Sequence, residues 1–291
     1  IAFTYFLKQP AQSVKLEILD AQGKVIRSFT GTPDTTRART GAAAAGDDDD
    51  ESPRGPPVPR VSVRPGSNRF QWDMRSEPAT TFPGIILWAG GTNGPRVLPG
   101  SYFVRLTADN QPPQTQGFTI RPDPRAPHVT VADLQAQHEL AMQVRNKLSQ
   151  ANDAVITIRG VKSQVDDRVK NANDPKFEHA ARLFKDKLGA VEEEIYQVRN
   201  QSNQDPLNYP IKLNNKIAAL MGAVEGVEGR PTAQTYEVFN QLSARLDQQL
   251  GWLEQILARD LPAFNQQWVI PRSLKPVERK VEQPKPVARI D

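Results

Sequence analysis

Residues 130–169 read TVADLQAQHELAMQVRNKLSQANDAVITIRGVKSQVDDRV, and their spacing decides the architecture of the second half of the chain. Leu134, Ala141, Leu148 and Val155 fall seven apart. Val144, Ala151, Ile158 and Val165 fill a second seam beside them. Apolar residues in this phase lie on one face of a helix. The spacing predicts a first helix from about Thr130 to about Val169, with TVAD as the capping box at its start.

Downstream, Asp174-Pro175 form an N-cap and first-turn pair. Phe177, Ala181, Phe184, Leu188, Val191, Ile195 and Val198 then alternate by four and three. A third helix carries Leu213, Ile217, Leu220, Val224 and Val227, and closes on the glycines at 226 and 229. A fourth starts after Pro231, with Thr232 as cap. It shows Phe239, Leu242, Leu246, Leu253, Leu257 and Phe264, with Pro262 bending its last turn. Stripes of this kind bury against one another, so four helices joined by short connections predict an antiparallel bundle over 130–268.

The stretch NQSNQDPLNYPIKL, beginning at Asn200, separates the second and third helices. Pro206 and Pro210 stop the helix from running on. Asn208, Asn214 and Asn215 are expected to satisfy loose backbone groups at the helix ends. A corner accounts for this composition without a ligand.

Up to about Arg121 the period is two rather than 3.6. VKLEILD alternates Val14, Leu16 and Ile18 against Lys15, Glu17 and Leu19. GKVIRSF follows the turn DAQG, where Gly23 supplies positive φ. NRFQWDM alternates Phe70, Trp72 and Met74, and GSYFVRLTAD alternates Tyr102, Val104 and Leu106. GIILWAG reads as a short buried strand, and QGFTIRPD closes the series. Short strands between Gly/Pro turns predict a sandwich of roughly seven strands, immunoglobulin-like in size. The expected fold class is therefore α+β and multidomain. An Ig-like β-sandwich occupies 1–122, a linker 123–129 and the bundle 130–268. A basic, Pro-rich tail at 269–291 is extended or disordered.

Residues 31–60 carry almost no large apolar side chains and read as a flexible insertion in the sandwich. The acidic run Asp47, Asp48, Asp49, Asp50 and Glu51 lacks the alternating carboxylates and turn glycine of a calcium loop, so a solvated tract explains it better.

Composition narrows the function classes. The 291 residues are 38% hydrophobic and carry a net charge of +4 from 37 basic and 33 acidic side chains. The basic residues are scattered, which argues against nucleic acid. The absence of cysteine excludes disulfides, thiolate metal sites and cysteine nucleophiles. No apolar run is long enough to span a membrane. The chain opens directly on IAFTYFLKQP, which reads as a strand entered partway and predicts a processed product or a fragment.

No catalytic constellation is visible. His128, His138 and His179 are separated, with no i, i+4 pair for zinc. No serine stands in a nucleophile elbow, and WAGGTNGPRVLPG lacks the strand-loop-helix context of a phosphate loop. Of Glu192, Glu193 and Glu194 only one can face the apolar seam, so the run reads as the solvated face of the second helix. The Trp72-Asp73 pair resembles a sugar platform, but the alternation of Trp72 with Phe70 and Met74 places it in the core. Three aromatics remain as contact residues for a partner or a sugar: Trp88, Tyr102 and Trp268. Trp252 also borders the apolar stripe of the fourth helix.

The strings VKLEILDAQGKVIRSF, NRFQWDMR, FPGIILWAGGTNGP and LPGSYFVRLTADNQPPQTQGFTIRPDPR resemble the C-terminal part of exported bacterial β-propeller proteins. These are sortilin-like proteins with BNR repeats, often labelled glycosyl hydrolases. DLQAQHELAMQVRNKLSQANDAVITIR and IYQVRNQSNQDPLNYPIKLNNKIAAL resemble the helical region of the same proteins. The resemblance spans about residues 1–268. It implies a noncatalytic C-terminal module of a periplasmic or extracellular protein, or a relative that has lost its propeller, because hydrolase activity would belong to an upstream propeller. No Asp-box of the S-x-D-x-G-x-x-W type is present here. Apart from the resemblance, a module of this kind is expected to have protein partners, in one form a membrane-embedded complex that a processed fragment joins as an extrinsic periplasmic subunit, and the residues point to no cofactor and no metal. The alternative is a carbohydrate-binding accessory region.

Overall fold

The structure, a computed structural model, describes residues 1–33, 60–172 and 174–279. Most of the 31–60 insertion, with its acidic run, and the tail beyond 279 lie outside the described residues.

The protein is mixed α and β. Six strands are present among the described residues: β1 (Ala2–Leu7), β2 (Val14–Leu19), β3 (Val25–Gly31), β4 (Gly66–Gln71), β5 (Gly100–Ala108) and β6 (Gln114–Ile120). They form an antiparallel pair β1-β4 and a four-stranded antiparallel sheet ordered β3-β2-β5-β6. The β2–β3 hairpin turns on Gly23, whose φ is +81° and whose amide donates to the Asp20 carbonyl at 3.0 Å.

Period-two patterning fills the space between the sheets. Val14, Leu16, Ile18, Phe70 and Trp72 are all at most 2% exposed. Aromatic pairs connect the two sheets: Phe29 with Phe70 at 4.7 Å between ring centres, and Phe3 with Phe118 at 5.2 Å. Trp72 is a core residue, as its alternation predicts, and its indole N–H donates to the Arg75 carbonyl at 2.9 Å.

The helices are α1 (Val131–Ala172), α2 (Pro175–Ile195), α3 (Leu213–Glu225) and α4 (Ala233–Gln255). Thr130 and Asp133 form the predicted capping box. The Asp133 amide donates to Thr130 Oγ1 at 3.1 Å, and the Thr130 amide donates to the Asp133 carboxylate at 3.2 Å. Asp174 caps α2 by accepting from the amides of Lys176 and Phe177, and Thr232 caps α4. Beyond α4 the chain continues through π-helical turns at Ile256–Asp260 and Asn265–Val269, with Leu261–Phe264 between them. Pro262 is accommodated there because the ladder is already irregular. Leu140, Val144, Ile158, Leu188, Ile195, Ile217 and Leu246, on all four helices, are at most 1% exposed and share one core.

Several expectations are corrected. There are six strands among the described residues, not seven, because GIILWAG forms no strand. The second helix ends at Ile195, leaving Val198 40% exposed, and Val227 is 77% exposed beyond the end of α3. By its contacts the chain divides into two compact units. One unit takes Ile1–Pro78 and Asn93–His138. The other takes Ala79–Thr92 and, among the described residues, 139–279.

Candidate functional site

Residues 79–92 carry the most constructed polar site in the helical unit. This segment is an irregular loop that turns at Phe82–Ile85, where the Ile85 amide donates to the Phe82 carbonyl at 3.2 Å, and its ends meet where the Ala79 amide donates to the Thr92 carbonyl at 2.8 Å; most of its other peptide groups need partners from elsewhere. Side chains from the helices supply them. The Thr80 amide donates to Ser149 Oγ at 3.1 Å, and the Thr80 carbonyl accepts from Asn152 Nδ2 at 2.7 Å. The Ile86 amide donates to the Tyr196 hydroxyl, which donates in turn to the Gly84 carbonyl, both at 3.2 Å. The Trp88 amide donates to Asn215 Oδ1 at 2.7 Å, and Asn215 Nδ2 returns a bond to the Trp88 carbonyl at 2.6 Å. An apolar run that resembles a buried strand therefore needs no ladder. Ala79 and Phe82 are buried in the helical core, with Ile85 and Leu87 packed against it.

The corner asparagines do other work than expected. Asn214 and Asn215 are buried on the inner face of α3 and do not finish helix ends. Asn214 Nδ2 donates to Asn152 Oδ1 at 3.2 Å, which orients Asn152 toward Thr80. Asp205 organises the corner instead, accepting from the amides of Gln201 and Ser202, and these bonds hold its carboxyl below the usual range.

Beside this segment lies a buried charge cluster. Glu192 is 5% exposed and accepts from Arg159 Nε at 2.7 Å and Lys162 Nζ at 2.8 Å. The Arg159 guanidinium stacks over Phe82 at 4.8 Å and Tyr196 at 5.1 Å. Glu193 and Glu194 are solvated as expected, but Glu192 is not. Its place four after Leu188 and three before Ile195 puts it on the buried face. Asn152, four after Leu148 and three before Val155, carries the same signal.

The three aromatics singled out from the sequence have different surroundings and are not brought together. Trp88 is 41% exposed and belongs to the 79–92 segment on the helical unit, not to the sheets. Tyr102 is 8% exposed. It stacks on Phe118 and donates its hydroxyl to the Leu98 carbonyl at 2.6 Å, so its ring is core and no open stacking face. Trp268 is half-buried. It lies parallel to Phe177 at 6.3 Å with the Arg272 guanidinium over it at 5.3 Å, and Arg272 also pairs with Asp174.

Among the described residues, no group of three or more His, Asp or Glu side chains could hold a metal ion. His138 Nδ1 faces the Arg96 carbonyl at 2.7 Å, and His179 Nδ1 faces Arg182 at 3.0 Å. No described helix is long and apolar enough to cross a membrane. A groove of about 420 Å3 lies between α2 and the end of α4, lined by Lys187, Val191, Trp252, Gln255, Arg259 and Asp260 among others.

No family model, no curated protein and no solved structure matches this chain.

Proposed function

We propose that this chain is a noncatalytic interaction module of an exported bacterial protein, an Ig-like sandwich joined to a helical bundle that holds segments of protein lacking regular secondary structure. The carrying observation is the docking of residues 79–92, in which helix side chains take both peptide groups of Thr80 and of Trp88. A surface built to satisfy loop backbone is suited to holding protein, because backbone groups are the part of a partner common to all sequences. The cysteine-free composition and the resemblance to sortilin-like C-terminal regions support a periplasmic or extracellular setting, with a membrane-embedded complex as the partner.

The test uses the immobilised full chain and the envelope fraction of the producing cell. Saturable retention of one protein, weakened by a substitution of an exposed residue such as Trp88→Ala, supports the proposal. Loss of all saturable retention, or turnover of chromogenic glycosides by the purified chain, overturns it.

The fixed Trp88 favours one second reading, a carbohydrate contact. Asn215 locks the backbone of Trp88 while leaving the indole 41% exposed, so a flat apolar face is presented at low entropic cost. Retention on a polysaccharide column that Trp88→Ala abolishes without changing the melting midpoint would establish it.

A further inference from the structure

After the 3-10 turn Ile270–Arg272 the chain turns back through Ser273, whose φ of +57° lies in the left-handed region. Residues 274–279 then run as an extended strap along the helical unit. Val277 is 3% exposed in the helical core. Its amide donates to Asn265 Oδ1 at 2.8 Å, and its carbonyl accepts from Asn265 Nδ2 at 2.9 Å. The next residue is held from the other side. The Glu278 amide donates to Gln164 Oε1 and its carbonyl accepts from Gln164 Nε2, both at 3.0 Å. Arg168 Nε donates to the Lys275 carbonyl at 2.7 Å, and Arg279 makes a two-pronged pair with Glu254 at 2.9 and 2.5 Å. The groove therefore reads three things: extended backbone, one apolar side chain at Val277 and one guanidinium at Arg279.

The strap reads Lys-Pro-Val-Glu-Arg at 275–279, and Lys-Pro-Val-Ala-Arg follows at 285–289. The two match at four of five positions. The one that differs, Glu278 against Ala288, is held through its backbone alone, since the Glu278 side chain is exposed and shows no hydrogen bond or ion pair among the described residues. Pro284 stands where half-buried Leu274 stands, again apolar. Every side chain that the groove recognises is thus present twice. Proline in the motif also favours the extended conformation before binding.

We infer that the groove formed by Gln164, Arg168, Glu254 and Asn265 is a recognition site for extended chain carrying the pattern Val-x-Arg, and that residues 285–289 of the same chain are its second ligand. Exchange between the two motifs shifts the register of the C-terminal segment by ten residues. That changes how much chain extends beyond the groove toward a partner. A tether this short gives an effective concentration of order millimolar, which favours occupancy within one chain over exchange between chains.

The experiment uses the full chain with Val277→Asp, Val287→Asp and both together. If the second motif substitutes for the first, Val287→Asp leaves the melting midpoint unchanged. Val277→Asp then lowers it by no more than about 2 °C, and the double variant lowers it by about 6 °C or more. A labelled peptide of residues 283–291 then binds the double variant, and the same peptide with aspartate at 287 does not. The inference is overturned if Val277→Asp alone costs as much as the double variant, or if the peptide fails to bind. Light scattering on Val277→Asp checks the tether: a monomer is expected, and a dimer would overturn same-chain occupancy.

Discussion

Asn215 and Trp88 are 127 residues apart and form a closed pair, in which one side-chain amide occupies both the N–H and the C=O of one residue. The bond lengths, 2.7 and 2.6 Å, are those of well-formed hydrogen bonds. Asn215 is 3% exposed, so water reaches this pair poorly. Asn215→Ala leaves two peptide groups without partners and is expected to cost roughly 2–3 kcal/mol. Asn215→Asp keeps the size but replaces the donor with a second acceptor, facing the Trp88 carbonyl. It should cost at least as much at pH 7. Urea unfolding of both variants decides; equal stability of Asn215→Asp and the parent would show that the pair is incidental.

Gly90 gives a steric test of the same docking. A Cβ built there would stand 2.7 Å from the backbone of Ala218 and Ala219 on α3. Backbone cannot swing aside as a side chain can, so Gly90→Ala must push the segment off the helix and should cost about 1–3 kcal/mol. Gly222→Ala, on the same helix and facing open space, is the control. It should gain up to about 1 kcal/mol from helix propensity. Thermal melts of the two variants should move in opposite directions.

Helix positions were legible in the sequence because their signals are local. Thr130-Asp133 and Asp174-Pro175 set the starts of α1 and α2, and the seams at 141, 148 and 155 all proved buried. The strands of VKLEILD and GSYFVRLTAD were legible for the same reason. GIILWAG was not, because an apolar run of four residues looks alike in a buried strand and in a segment pressed against helices. Its partners, Tyr196 and Asn215, lie more than 100 residues away, and no local pattern encodes them. Glu192 and Asn152 could have been found, since both hold apolar-phase positions on their helices. The first part of the tail was unreadable as structure because its support is scattered: the lone amides Gln164 and Asn265, Arg168, Glu254 and one buried Val277, with no periodicity between them.

Glu17 links the β unit to pH. It is 7% exposed on β2, accepting from Arg105 at 2.8 Å and paired with Lys15 at 2.6 Å. The Arg105 hydrogen bond, outweighing burial and assisted by Lys15, holds the carboxyl below its ordinary value. A depressed folded-state pKa means that the stabilisation is complete above the unfolded pKa, near about 4.3, and is lost as pH falls through the folded value. Glu17→Gln should be less stable than the parent at pH 7, with the gap closing as the pH falls below the ordinary carboxylate range and through the depressed folded-state value. Urea midpoints measured across that range check the sign. A gap that widened in acid would contradict the assignment.

Glu192 is the harder case, because a buried ion pair is weak evidence for stability in itself. What matters is what remains after one partner is removed. Glu192→Ala would leave Arg159 and Lys162 facing each other on α1, three residues apart and without a counter-charge. Breaking a fully buried pair costs about 3–5 kcal/mol. Arg159 and Lys162 keep 40% and 25% of their side chains exposed, so water recovers part of this, and roughly 2–3 kcal/mol is expected. The triple replacement Arg159→Met, Lys162→Met, Glu192→Leu removes all three charges at similar volume. It should recover most of the loss on the charge account alone. It would still fall short of the parent, because the Arg159 guanidinium also stacks on Phe82 and Tyr196. Comparing the triple with Glu192→Ala by guanidinium unfolding separates charge from packing. If the triple is no more stable than the single variant, the stack and not the ion pair holds residues 82–86 in place.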